Sequence, residues 1–416
     1  MRPRVHAKTT LAILTALNFL NYIDRSVLFA VQPLVQREFG RGDTQMGFLT
    51  SSFFICYMAG APMLGFLADR VPRKPIIILG ALVWSAATLL TAFTWDFRTL
   101  LLRHILVGIG EASFVAAAPS YIADLFPEEQ RGRMLSIFFM GIPAGTALGY
   151  LIGGYLGYTY GWRMPFYVVA GPGALMALAL MFVREPHRGA YDRVTESSER
   201  GVWLGLMKIW RGLMHNWAFW TATLGMAFMT FALGGMQVWM PTFLIRVRGL
   251  APVRANLFFA GITAVNGVVA TIAGGWFSDW LLRRRQDAYY LVSGAALAVA
   301  TPMAVAAIYV RGPAMLTAIF IAEFFLLFNT GPLNAAVVDS VGAGIRASAT
   351  AVNLLVIHLL GDAFSPSLIG YVSDRSHSLQ NGFLTAIVAV AIAAAILLYG
   401  KRHVFPGVTA QTGGAV

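Results

Sequence analysis

Gly65-Phe-Leu-Ala-Asp69 closes one long apolar run of this chain, and the same glycine-to-aspartate spacing closes two more, at Gly275-Trp-Phe-Ser-Asp279 and Gly370-Tyr-Val-Ser-Asp374. A degenerate form, Gly153-Gly-Tyr-Leu-Gly157 ahead of Gly161-Trp-Arg163, closes a fourth. Counted along the chain, these are the ends of runs two, eight, eleven and five. Runs two and eight correspond, as do five and eleven. If every run crosses a membrane, the two pairs point opposite ways. That is the symmetry of three-helix repeats, inverted within each of two six-helix halves.

The runs themselves support crossing. They cover residues 10–34, 45–68, 76–95, 99–122, 134–158, 164–183, 217–245, 255–278, 289–309, 314–338, 347–371 and 381–400. Most reach the roughly 20 apolar residues that a helix needs to span hydrocarbon about 30 Å thick. They do not alternate apolar with polar, which a transmembrane β-barrel would require. Charged residues are 12% of the 416, about half the share usual in a soluble domain. The expected fold is an all-α polytopic membrane protein with twelve spans. The first run lacks a small-residue cleavage site and is read as span one.

The net charge of +12 does not form the dense stripe that binds nucleic acid. Lys and Arg sit in small clusters between the apolar runs, and 20 of the 31 fall on the side that holds both termini, against nine opposite. The positive-inside rule makes that side cytoplasmic. Four segments are expected: an N-terminal six-helix bundle (1–185), a linker (186–216), a C-terminal six-helix bundle (217–403) and a flexible tail (404–416). Within the linker Leu206, Trp210, Leu213 and Trp217 share one helical face beside Lys208 and Arg211, the pattern of an interfacial amphipathic helix. The single cysteine, Cys56, rules out a disulfide within the chain, and no His, Cys, Asp and Glu spacing fits a metal site. No nucleophile and base pairing, phosphate-binding glycine loop or nucleotide motif points to an enzyme, and no cofactor is expected.

Charges inside a span cost several kcal/mol unless paired or wetted, so each is a functional candidate. Asp24 and Arg25 lie mid-span within Asn18-Phe-Leu-Asn-Tyr-Ile-Asp-Arg25. Neighbouring helical residues do not share a face. Arg25 belongs with Asn18, Asn21, Tyr22, Phe29 and Gln32, a stripe suited to a cavity wall, whereas Asp24 falls with Leu20, Val27, Leu28 and Val31. In span four His104 and Glu111 share a face, with Gly108 and Gly110 allowing close helix approach beside Glu111. Glu111 or Asp24 is the expected proton carrier, with Arg25 alternating between a carboxylate and an anionic substrate; the bland alternative is a permanent ion pair between spans one and four. The second half offers Gln237, Asn266, Glu323, His358 and Asp362 as further cavity-lining candidates. His358 and Asp362 fit either a proton relay or a plain interhelical hydrogen bond.

The loop Gly65-Phe-Leu-Ala-Asp-Arg-Val-Pro-Arg-Lys74 resembles the signature of the major facilitator superfamily, departing at Pro72, where a glycine is usual. The resemblance implies gating loops built on Asp69, Arg70, Arg73 and Lys74, matched by Asp279 and Arg283. Within that superfamily Asn21–Arg25, Phe54–Met58 with Ala61-Pro62, and Arg103–Ala112 leading to Asp124-Leu-Phe126 are similar to the Spinster-like lipid transporters, over roughly residues 15–165. His104 departs from the small residue often found there. This implies alternating-access transport of an amphiphilic anionic lipid, a lysophospholipid or a sphingosine-1-phosphate-like molecule, with Asp24, Arg25 and Glu111 as the charged site. An arginine suits a phosphate. The open alternative is a proton-coupled carrier of small organic anions or amphiphilic drugs, and an ion channel would instead predict pore rings from an oligomer. The expected partners are membrane lipids, the substrate and protons, in a monomer of the bacterial inner membrane.

Overall fold

The computed structural model describes residues 3–188, 190, 213–342 and 345–404, and among these every regular element is a helix. In order they are α1 (Pro3–Phe39), α2 (Asp43–Ala68), α3 (Arg73–Thr91), α4 (Phe97–Leu125), α5 (Glu128–Phe139), α6 (Gly141–Tyr160), α7 (Met164–Met181), α8 (Trp217–Arg246), α9 (Pro252–Leu282), α10 (Ala288–Tyr309), α11 (Pro313–Leu327), α12 (Thr330–Asp339), α13 (Arg346–Ile357), α14 (Ser365–Ser376) and α15 (Leu379–Gly400). Eleven described stretches are long and apolar enough to cross a membrane. α1, the longest helix at 37 residues, stands outside that set; Asn18, Asn21, Asp24, Arg25 and Gln32 make it more polar. Leu206, Lys208, Trp210 and Arg211 of the expected interfacial helix, and residues 405–416 of the expected tail, lie outside the described residues.

Three spans read as single runs are interrupted. Span five breaks at Met140 between α5 and α6, span ten at Phe328 and Asn329 between α11 and α12, and span eleven at a π turn, His358–Asp362. None of these interruptions disturbs the apolar pattern, so the sequence carries little sign of them. The cap of α4 is conventional: Asp96 accepts the Thr99 N–H at 2.7 Å.

The chain forms two compact units. The first holds residues 1–197 with 237–264 and 370–377, and the second holds 198–236, 265–369 and 378–416. In the first unit α6 lies along α1 on a stripe of glycines at 141, 145, 149, 153 and 157. A methyl group built on Gly149 would stand 2.6 Å from Ser26 Cβ and 2.7 Å from the Ile23 carbonyl oxygen, and one on Gly153 2.7 Å from Ala30 Cβ. Gly145 meets the Phe19 carbonyl and Gly157 the Val31 side chain in the same way. Without a hydrophobic drive between helices in lipid, close backbone approach at small residues is what binds them. Gly153 and Gly157, part of the degenerate repeat, therefore belong to this stripe.

In the second unit α10 packs on α15 and α11. Gly274 of α9 receives the Phe328 carbonyl where α11 gives way to α12, and Gly234 and Gly361 bring α8 against the π turn.

Candidate substrate and coupling site

Helical residues advance by about 100° each, so three successive residues of α1 meet three different neighbours. Ile23 backs onto Gly149 of α6, Asp24 accepts the Thr88 hydroxyl of α3 at 3.4 Å, and Arg25 reaches α4, where its Nε lies 2.5 Å from Glu111 Oε2. The Glu111 side chain is fully buried and that of Arg25 is 11% exposed.

Aromatic rings surround the guanidinium. Its central carbon is 4.8 Å from the Tyr22 ring centre and 4.9 Å from those of Phe53 and Tyr57 on α2. Cation–π contacts of this kind are worth about 0.5–2 kcal/mol each, and here they offset part of the cost of removing an arginine from water. Gly108 lets α2 close on α4, since a methyl there would be 2.7 Å from the Phe53 carbonyl oxygen, and Gly110 does the same for α3 at 2.8 Å from the Gly80 carbonyl oxygen.

The pair leaves unused polar capacity. Glu111 Oε1 and Asp24 Oδ1 are buried and have no hydrogen-bond partner among the described residues. The Asn21 amide lies beside Glu111 without reaching hydrogen-bond geometry. His104 packs its ring 5.2 Å from Phe53, with Nε2 buried and without a hydrogen-bond partner among the described residues. Asn18 donates to the Phe138 carbonyl at 2.9 Å, tying α1 to α5, and Phe29 is buried in the core. A carboxylate oxygen without donors, held against an arginine, can take a proton or yield its partner to another anion.

Phe53 and Tyr57 complete the cage; Tyr57 belongs to the Phe54–Met58 stretch that carries the family resemblance, whereas neither is a site candidate in the sequence. The further signal is the four-residue spacing that puts the two aromatics on one face of α2.

The second-half candidates are divided between the two units. Gln237 lies in the first unit, where its carbonyl accepts the Tyr150 hydroxyl at 2.7 Å. Asn266 donates to the Phe320 carbonyl at 3.0 Å, and Glu323, buried at 1% exposure, sits on α11 one turn beyond Phe320. His358 Nδ1 is 2.7 Å from Asp362 Oδ2.

At one end of the first unit, the loop between α2 and α3 is organised around Arg73. Its guanidinium lies 2.5 Å from Asp124 and 3.6 Å from Glu185, while Glu185 also accepts the N–H groups of Arg73 and Lys74 at 2.7 and 3.2 Å. A carboxylate there neutralises the exposed N–H groups of α3. Lys74 Nζ donates to the Met181 and Val183 carbonyls, Arg70 covers the Phe66 ring, and Arg188 binds the carbonyls of Ala68, Asp69 and Val71. In the matching loop of the second unit Asp279 accepts the Tyr289 hydroxyl at 3.1 Å, Arg283 is exposed, and Arg285 pairs with Asp287 at 2.9 Å.

At the opposite end of the first unit stands a network that the sequence did not reveal. Asp374, last residue of the third glycine-to-aspartate repeat, accepts the backbone N–H groups of Asp43 and Thr44 at 2.9 and 2.8 Å and the Thr44 hydroxyl at 2.6 Å. It caps α2 from a distant part of the chain. Asp43 in turn is held by Arg246 at 2.6 and 3.1 Å, by Gln36 at 2.6 Å and by Ser373 at 2.6 Å. A methyl on Gly42 would stand 2.7 Å from Asp374 Oδ2.

Comparison with known proteins agrees with this architecture. The family profile described as Major Facilitator Superfamily matches residues 14–366. Protein spinster homolog 1 of Xenopus laevis is 34% identical over 382 residues, covering 87% of this chain and 72% of that protein. Sphingosine-1-phosphate transporter SPNS2 of Danio rerio is 34% identical over 397 residues, covering 90% and 77%. A crystal structure of a bacterial homolog to the human lysosomal transporter Spinster, inward-facing and unoccupied, superposes with a TM-score of 0.86 at 25% identity, covering 96% of this chain and 98% of that one.

Proposed function

The chain belongs to the major facilitator superfamily and is a multi-pass membrane transporter of the Spinster type, and from that premise we propose that it moves an amphiphilic anionic lipid by proton-coupled alternating access. The observation that carries the reading is the buried Arg25–Glu111 pair inside its aromatic cage. A phosphate or carboxylate headgroup arriving at Arg25 competes with Glu111 for the guanidinium. Released from its cation, a buried carboxylate is expensive to keep charged, so Glu111 takes a proton as the headgroup binds and returns it when the headgroup leaves. Tyr22, Phe53 and Tyr57 present apolar ring surface beside the charge, which suits a molecule that is ionic at one end and oily at the other. The zebrafish relative, named for sphingosine-1-phosphate, supports a lysolipid of that kind.

Alternating access needs contacts that break on each cycle. The Arg73–Asp124–Glu185 cluster and the Asp43–Arg246–Asp374 network stand at opposite ends of the first unit and suit that role. The asymmetry of Lys and Arg supports cytoplasmic termini, and the membrane proposed is a bacterial inner membrane.

The test is transport by the purified protein in proteoliposomes under an imposed pH gradient, comparing labelled lysophospholipid and sphingosine-1-phosphate with small organic anions. Gradient-driven movement of the lipids is expected. Movement of the small anions alone would assign the site to a hydrophilic carrier, and movement indifferent to the gradient would remove the proton.

A further inference from the structure

A cavity of about 860 Å³ opens at one end of the second unit, where α8 and α10 begin and α9 and α12 end. Each of those helices belongs to a stretch long and apolar enough to cross a membrane. Their ends, and the cavity with them, therefore lie at the depth of the lipid headgroups. Trp217, 64% exposed on its wall, is the residue type that anchors a span at that depth.

Hydrogen bonds pin the wall. Asn216 donates to the Ser340 carbonyl at 2.6 Å while accepting the Phe219 N–H at 3.0 Å, and the Tyr290 hydroxyl donates to the Ala218 carbonyl at 2.7 Å. The His403 ring, just past α15, stacks 6.0 Å from that of Trp217. Its Nε2 is buried and without a hydrogen-bond partner among the described residues.

Two opposite charges line the same space. Asp339 and Arg346 are both on the wall, and neither makes an ion pair among the described residues. Asp339 stands near enough to Tyr289 and Tyr290 for its charge to act on both. The two positions are the reverse of what helix stability favours. Asp339 is the last residue of α12 and Arg346 the first of α13, which no side chain caps. A helix is partly negative at its C-terminus and partly positive at its N-terminus. Each side chain thus adds to the charge of the end it occupies, leaving one concentrated anionic end and one concentrated cationic end. A lone anion would meet Asp339, and a lone cation would meet Arg346. A molecule carrying both charges satisfies both.

We propose that this cavity binds the headgroup of a membrane phospholipid carrying a phosphate and a primary ammonium, at a site separate from Arg25 and Glu111. The phosphate takes the planar fork of Arg346 and the first N–H groups of α13. The ammonium takes Asp339 beside the Tyr289 ring. Occupancy neutralises both helix ends and steadies the join between spans ten and eleven. The inference rests on the membrane assignment and is independent of which substrate Arg25 receives.

The experiment uses the full-length protein in detergent and follows the fluorescence anisotropy of a short-chain phosphatidylethanolamine labelled on its acyl chain. Saturable binding is expected, and Asp339→Asn or Arg346→Gln should each weaken it about tenfold or more, since a charged hydrogen bond is lost. Arg346→Lys, which keeps the charge without the fork, should fall between. The Arg25→Met, Glu111→Gln double variant should bind as the parent does. Without lipid, Asp339→Asn and Arg346→Gln should melt no lower than the parent, because each removes a charge of the same sign as its helix end. A clear fall in melting temperature would assign the two residues to structure and overturn the proposal, as would undiminished binding in both variants. Unlabelled phosphatidylglycerol competing as well as unlabelled phosphatidylethanolamine would reduce the cavity to a plain anion site. Equal competition by water-soluble glycerophosphoethanolamine would overturn the lipid source. Loss of binding in the double variant would place the probe at Arg25 instead.

Discussion

Asp374 caps the helix that Asp43 begins, accepting its backbone N–H at 2.9 Å across 331 residues of sequence. Asp43 is itself 2% exposed and carries an ion pair to Arg246. Charged hydrogen bonds of this kind contribute about 1.5–3 kcal/mol each. Asp374→Asn should loosen this end of the first unit. Asn256, fully buried beside Gly154, gives the readout: in an Asn256→Cys background, labelling by an impermeant maleimide should rise several-fold when Asp374 is replaced. Unchanged labelling would reduce the network to an ordinary cap.

Arg25→Ala should abolish transport, because nothing else in the cage offers a cation to a headgroup. Removing one partner of a buried pair also costs about 3–5 kcal/mol by stranding the other charge. The double substitution Arg25→Met with Glu111→Gln should restore most of the lost thermal stability and none of the transport. Recovery of transport in the double variant would take Arg25 out of the binding site. Arg25→Lys should remain impaired, as an ammonium lacks the planar fork and stacks poorly among Tyr22, Phe53 and Tyr57.

Glu111→Gln keeps the shape and removes the titrating group. Transport driven by a substrate gradient should persist, while acceleration by an inward proton gradient is lost. The comparison is initial rates with and without the pH step, and an undiminished response would assign the proton elsewhere.

Gly149→Val forces a three-carbon branched side chain into the seam, where Ser26 Cβ stands 2.6 Å from the position of the new Cβ. Overpacking costs about 1–3 kcal/mol and should appear as a clear fall in melting temperature in detergent. Ser26→Gly should rescue only part of it, because the Ile23 carbonyl also blocks the space.

Glu38, beyond the expected end of span one, is held below the usual carboxylate range by the hydrogen bond from Arg163, with Trp162 adding another. A lowered titration point means that the contribution is present above the unfolded value and is lost as pH falls through the folded one. With both side chains more than a third exposed, it is worth less than about 1 kcal/mol. Arg163→Gln should lower the stability at neutral pH by less than that amount and leave the strongly acid value unchanged, so the acid side of the profile flattens slightly.

The number and order of spans could be read from the runs because a bilayer demands long, unbroken apolar helices whatever their partners. Arg25 and Glu111 were each visible as charges on a spanning face. A pair between spans one and four was one of two readings open there; the 2.5 Å contact and its ring cage were not legible, since they depend on how closely α2, α3 and α4 pack at Gly108 and Gly110. The Gly153–Gly157 stretch was read for its likeness to a repeat, while its steric use required knowing that Ala30 and Val31 lie opposite. Asp374 looked like a loop residue because a cap donated from so far along the chain has no local signature. The π turn escaped for a related reason: face assignments assumed 3.6 residues per turn throughout, and an added residue that leaves the span apolar does not announce itself.

Ile23, Asp24 and Arg25 each address a different helix, and that makes α1 a keyed shaft. One residue inserted before Ile23 would turn the shaft by about 100°, moving the cation out of its ring cage and setting a side chain where α6 accepts only backbone. Tolerance here is therefore rotational before it is chemical: conservative exchanges at these positions are milder errors than a change in their phase. On the proposed reading of Arg25, the transporter's substrate specificity is stored partly as an angle.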